Sequence, residues 1–125
     1  MATFNINNII RPNVKTMKAY SSARDEFQEI NDDFIFLDAN ENPFNNGLNR
    51  YPDPFQRNVK AILSQLKNFP ENQILLGNGS DEILDLLFRA FCEPNQDNVI
   101  SISPSYGMYN VLANLNAIEY RKSLL

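Results

Sequence analysis

From Tyr51 onward the apolar residues alternate between helical and strand spacing, and this alternation restricts the chain to an α/β fold. Asp53 is placed to cap a helix with Pro54 at its first position, where the missing N–H costs nothing. Phe55, Val59, Ile62, Leu63 and Leu66 follow on one helical face, and Pro70 stops the run. Ile74-Leu75-Leu76 then predicts a short buried strand. Gly77-Asn78-Gly79-Ser80 turns the chain into a second helix carrying Ile83, Leu84, Leu87, Phe88 and Phe91. Val99-Ile100-Ser101-Ile102 predicts a second strand, Met108, Val111, Leu112 and Leu115 a third helix, and Ile118 to Arg121 a third strand. Strand, helix, strand, helix, strand is the βαβ order of a parallel sheet.

The first fifty residues have no sustained period. Phe4 to Ile10 reads as a short helical or extended arm ahead of Pro12. Phe34-Ile35-Phe36-Leu37 reads as a brief strand, and residues 40–49, rich in Asn, Pro and Gly, as loop. The expected division is an arm and interface segment over residues 1–50 and an α/β domain over residues 51–125. Three parallel strands leave an undefended edge, so the sheet is expected to be part of a larger one. A small complete α/β domain is the alternative.

Composition removes several chemistries. The 125 residues contain no histidine, which excludes Ser-His-Asp and Cys-His catalysis and histidine-ligated metals; no metal site is expected. Cys92 is the single cysteine, so no internal disulfide forms, and a reducing, cytoplasmic setting is expected. With 11 basic and 15 acidic side chains the net charge is −4, a poor match to a nucleic-acid backbone. No apolar run approaches the roughly 20 residues that span a bilayer, and the first residues lack a secretory pattern, so no membrane partner is expected.

Three places could carry chemistry. The first is Gly77-Asn78-Gly79-Ser80-Asp81-Glu82, between a predicted strand and a helix. The N–H groups and partial positive charge of a helix start can hold a phosphate there. The spacing is not that of a P-loop. Against a ligand, Ser80 could simply cap the helix, and Asp81 and Glu82 would repel an anion unless their side chains turn away. The second is Pro104-Ser105-Tyr106-Gly107-Met108-Tyr109, at the carboxyl end of a strand, where open parallel sheets bind ligands. Tyr106 could stack on a planar ring or pack inward; for Tyr109 the packed role is preferred. The third is Asn49-Arg50-Tyr51-Pro52-Asp53-Pro54, where the Tyr51 phenol could donate to an anion.

Taken in order, several segments resemble the histidinol-phosphate aminotransferases, pyridoxal-phosphate enzymes with the aspartate-aminotransferase-like fold (fold type I). They are Tyr20-Ser21-Ser22-Ala23-Arg24, Leu37-Asp38-Ala39-Asn40-Glu41-Asn42-Pro43, Arg50-Tyr51-Pro52-Asp53-Pro54, Gly79-Ser80-Asp81-Glu82, Arg89-Ala90-Phe91-Cys92-Glu93-Pro94 and Pro104-Ser105-Tyr106-Gly107-Met108-Tyr109. The resemblance implies part of a three-layer parallel sheet with an N-terminal arm. It implies pyridoxal 5'-phosphate as cofactor, with Gly79 and the backbone amides of Ser80 and Asp81 at its phosphate and Tyr106 on its ring. Tyr51 would reach the phosphate of a neighbouring subunit in a homodimer, and Tyr20 and Asn40 would approach the substrate. The implied reaction moves an amino group between L-histidinol phosphate and 2-oxoglutarate in histidine biosynthesis. The family's Schiff-base lysine, pyridine-nitrogen aspartate and carboxylate arginine lie downstream of these motifs. None of Lys15, Lys18, Lys60, Lys67 and Lys122 has the lysine's Ser-Lys setting, so no catalytic residue is assigned and this stretch alone is expected to be inactive. The rivals are another phosphate-substrate transaminase or decarboxylase relative, and a non-catalytic phosphate-binding or dimerisation fragment.

Overall fold

The computed structural model describes residues 4–21, 35 and 37–125. By backbone contacts the chain divides into two units, Met1–Met17 with Leu75–Leu125, and Lys18–Ile74.

The first unit is a small α/β piece. A 3-10 turn at Ile6–Asn8 and one helical turn, α1 (Pro12–Lys15), precede α3 (Gly79–Phe91), β1 (Asn98–Ser103), α4 (Met108–Leu115) and β2 (Glu119–Leu124). β1 and β2 pair in parallel, in register from Asn98 opposite Glu119 to Ser103 opposite Leu124. The helix between them supplies the crossover that a parallel pair requires. Phe88 of α3, Leu112 and Ala113 of α4, and Ile118 just before β2 are buried together, with Leu84, Cys92, Val99, Met108 and Tyr120 against them. Ala113 has no exposed surface, so its methyl group is fully enclosed in this cluster.

The ends of α3 are fixed electrostatically. Asp81 and Glu82 sit in its first turn and Arg89 in its last, each matching the helix dipole. Asp85 accepts from Asn116 Nδ2 at 2.7 Å, which ties the end of α4 to the middle of α3. Arg11 holds the arm to the end of α3. Its Nε and Nη2 donate to the Glu93 carboxylate at 3.1 and 3.2 Å. Its Nη1 donates to the Arg89 carbonyl at 2.9 Å, and its own N–H to that of Ala90 at 3.0 Å.

The second unit contains α2 (Arg57–Lys67), which ends on a left-handed Asn68, and a 3-10 turn at Glu71–Gln73. The expected start of this helix is corrected. Asp53 does cap, but it caps a turn: its Oδ1 accepts from Phe55 N–H at 3.0 Å and its Oδ2 from Arg57 N–H at 2.8 Å. Gln56 N–H closes that turn on the Asp53 carbonyl and Gln56 takes a left-handed backbone, so the helix begins at Arg57 rather than Pro54. The strand expected at Val99–Ile102 is β1, one residue longer at each end, and the one expected at Ile118–Arg121 is β2, which starts one residue later and runs three further. The expected strand Ile74-Leu75-Leu76 is absent: Ile74 is extended (φ −107°, ψ 121°), but only β1 and β2 pair among the described residues. Extended backbone becomes a strand only when a neighbour completes its ladder. Of the expected strand at residues 34–37, Phe34 and Phe36 lie outside the described residues; Ile35 and Leu37 are exposed and outside any strand.

Replacing Ala113 with Leu forces extra methylenes into a position with no exposed surface. Urea unfolding of Ala113→Leu should show a loss of about 1–3 kcal/mol; an unchanged midpoint would mean the packing around Ala113 is loose.

Candidate functional site

The turn into α3 is built by local backbone chemistry. Gly79 has φ +78°, the left-handed region that a residue with a Cβ enters only with strain. Its N–H closes back on the Gly77 carbonyl at 2.9 Å. A Cβ at Gly77 would lie 2.7 Å from Ile83 Cδ1 and 2.8 Å from Glu82 Oε2, so a side chain there would crowd Glu82. The N-cap is Asn78, and its side chain does not cap the helix. Ser80 stands inside the first turn, which removes it as the N-cap. The amides of Ser80 and Asp81, among the first four of the helix, have no carbonyl one turn back to bind.

The two carboxylates that could repel an anion are both engaged. Glu82 Oε2 turns back to accept from the Asn78 N–H and, at 3.2 Å, from Asn78 Nδ2. Asp81 Oδ2 accepts from the Tyr106 hydroxyl at 3.3 Å. Residues 77–80 are exposed, so the turn is open to solvent. These features suit a phosphate: exposed backbone donors, a dipole of the right sign and acids held aside.

Tyr106 is thus brought from the loop after β1 to the start of α3. Tyr106 is 51% exposed, and its ring meets Tyr109 edge-on with centroids 5.8 Å apart and planes at 88°. Tyr109 is half-buried and lines an apolar groove of about 590 Å³ between α3 and β1, together with Leu87, Phe88, Ile100 and Ile102. Ile100 and Ile102, on the β1 face opposite Val99, are 69% and 57% exposed.

The other nominated residues lie in the second unit. Asn40, Tyr51 and Tyr20 are exposed, Tyr51 at 64% and Tyr20 at 87%. Glu41 organises this part: Oε1 accepts from the Tyr51 N–H at 2.7 Å and Oε2 from Arg50 Nη1 at 2.8 Å. One carboxylate therefore holds the Asn40 and Tyr51 segments together. Residue type did not single out Glu41, because its partners are nine and ten residues away. Glu82 was legible as an acid in a helical first turn, but its reach back to Asn78 was not.

Residues 20–124 match the aminotransferase class I and II family. The chain belongs to that family. It is 68% identical to the histidinol-phosphate aminotransferase of Flavobacterium johnsoniae, over all of this chain and 36% of that relative. It is 63% identical to the enzyme of that name from Flavobacterium psychrophilum, again over all of this chain and 36% of the relative. For the one from Bacteroides fragilis the identity is 56%, over 96% of this chain and 34% of the relative. The chain spans about a third of the length of these curated relatives and matches their amino-terminal portion. Among the described residues no helix is long and apolar enough to cross a membrane, and no group of three or more Cys, Asp or Glu could hold a metal.

In this class I and II aminotransferase chain, the hydrogen bond to Asp81 raises the Tyr106 phenol above the ordinary tyrosine value, with desolvation and the Asp81 charge acting the same way. A raised pKa means that the contact contributes fully below the ordinary value of about 10 and is lost as pH climbs through the raised one. Alkaline ultraviolet titration should show a late tyrosine ionisation that Tyr106→Phe removes. A titration curve whose late phase survives that substitution would place the perturbed phenol elsewhere.

Proposed function

We propose that residues 77–82 and Tyr106 form the cofactor-phosphate end of a pyridoxal-phosphate-dependent transaminase, and that the reaction is amino transfer between L-histidinol phosphate and 2-oxoglutarate. The observation that carries this reading is the open first turn of α3, with both acids drawn aside and an aromatic ring hydrogen-bonded next to it. The names of the relatives at 56–68% identity supply the substrate and the reaction class.

The amides of Ser80 and Asp81 donate to the cofactor phosphate, the Ser80 hydroxyl adds a donor, and Gly79 keeps the turn in its left-handed form. Tyr106 offers its exposed face to the pyridine ring. Pyridoxal phosphate bound there supplies an electron sink for the charge released at the substrate Cα. Tyr51, with its backbone fixed by Glu41, reaches the phosphate of a neighbouring subunit in a homodimer. Tyr20 and Asn40 contribute to the substrate side.

Residues 1–50 are read as arm and interface segment, and residues 51–125 as the opening part of a large cofactor domain with the three-layer parallel sheet of fold type I. The uncovered face of Ile100 and Ile102 suits such a layer. The lysine and the pyridine-nitrogen aspartate of the reaction are assigned outside these residues. The lysines of the first unit are engaged elsewhere: Lys15 Nζ is 3.5 Å from the Asn7 carbonyl, and Lys122 Nζ lies 5.5 Å from the Tyr120 ring centroid. A cytoplasmic location fits a biosynthetic enzyme with a lone unpaired cysteine.

The test is pyridoxal phosphate binding to the native protein with inorganic phosphate as competitor. Phosphate should compete, and Gly79→Val should weaken both ligands at least about tenfold, because a β-branched residue disfavours the left-handed backbone that presents the amides. Binding that inorganic phosphate cannot displace, or that survives Gly79→Val, would remove the cradle.

A further inference from the structure

Asp81 is asked to do two things at once. Its amide lies in the first turn of α3, where the proposed phosphate site uses it, while its carboxylate leaves the helix to meet Tyr106. The carboxylate is unevenly satisfied. Oδ2 accepts from the phenol at 3.3 Å, and Oδ1 is buried without a hydrogen-bond partner among the described residues. A buried acceptor in that state is costly, so it persists where the rest of the arrangement compensates. The helix dipole favours a negative charge at this position, and among the described residues the phenol is the donor its side chain meets.

Tyr106 is held at two points. The hydroxyl is fixed by Asp81 and one side of the ring by the edge contact with Tyr109, while about half of its surface stays exposed. Asp81 and Tyr109 are the titratable groups that face this phenol. A ring fixed at its tip and flank keeps one orientation, and a fixed platform loses less conformational freedom when a planar ligand settles on it.

We infer that the Asp81 carboxylate is a positioning residue that holds the Tyr106 ring beside the first turn of α3, so that one residue aligns both ends of a phosphorylated planar ligand. The amide serves the phosphate, and the side chain sets the platform for the ring attached to it. This rests on the cofactor-phosphate reading above. It adds that discrimination between pyridoxal phosphate and bare phosphate depends on the Asp81–Tyr106 contact, while affinity for phosphate itself does not.

The experiment compares dissociation constants for pyridoxal phosphate and inorganic phosphate in the native full-length protein and in Asp81→Ala, Asp81→Asn, Tyr106→Phe and the Asp81→Ala/Tyr106→Phe pair. Asp81→Ala and Tyr106→Phe should each weaken pyridoxal phosphate about fivefold to tenfold, the size of one hydrogen bond, and the pair should lose no more than either alone. Inorganic phosphate should bind every variant at least as well as the native protein. Asp81→Asn keeps an acceptor oxygen and should restore most of the lost affinity, while the Tyr106 phenol ionises earlier for want of the charge. It also serves as the comparison if Asp81→Ala does not fold. Losses that multiply in the pair, or that fall equally on both ligands, would overturn the positioning role alone. A native protein that binds neither ligand would overturn the cofactor reading and this inference with it.

Discussion

The first turn of α3 carries two carboxylates and still presents the amides of Ser80 and Asp81, because one carboxylate turns back onto the N-cap residue and the other leaves the helix. Glu82 folds back to Asn78 and Asp81 reaches across to Tyr106. Without those two contacts the acids would compete for the first-turn amides or repel an arriving anion, and the helix dipole would be spent on the protein's own charge. Everything proposed for the site follows from that separation. The left-handed Gly79 sets the turn, and the parallel pair β1 and β2 with α4 between them brings the Tyr106 loop to the same end of α3.

Sequence periodicity carried most of the first unit. The apolar spacing of α3, β1, α4 and β2 survives in the structure because each sets some of its residues, Leu84, Val99, Met108 and Tyr120 among them, against the cluster of Phe88, Leu112, Ala113 and Ile118. It failed where an element depends on something beyond its own residues. Ile74-Leu75-Leu76 has strand composition, but a strand also needs a paired neighbour. The start of α2 failed for the opposite reason: Asp53 and Pro54 are good cap and first-turn residues, but Asp53 closed a turn on Phe55 and Arg57 first.

The site was legible in residue type and less so in connection. Gly79, Ser80 and Asp81 could be nominated from helix-start chemistry, and Tyr106 from its place after a strand. That the Asp81 carboxylate meets Tyr106, twenty-five residues away, required the fold. Glu41 shows the same limit, since nothing local marks it as the group that holds Arg50 and Tyr51. Arg11 is a third case: an arm residue with no motif of its own turns out to fasten the arm to Glu93 and to the last carbonyls of α3.

The account stands or falls on amino transfer by the protein isolated intact from its source. Incubated with pyridoxal phosphate, L-histidinol phosphate and 2-oxoglutarate, it should form glutamate at a rate that saturates in both substrates and falls to background when either is left out. No glutamate above background, with saturating pyridoxal phosphate present, would contradict it.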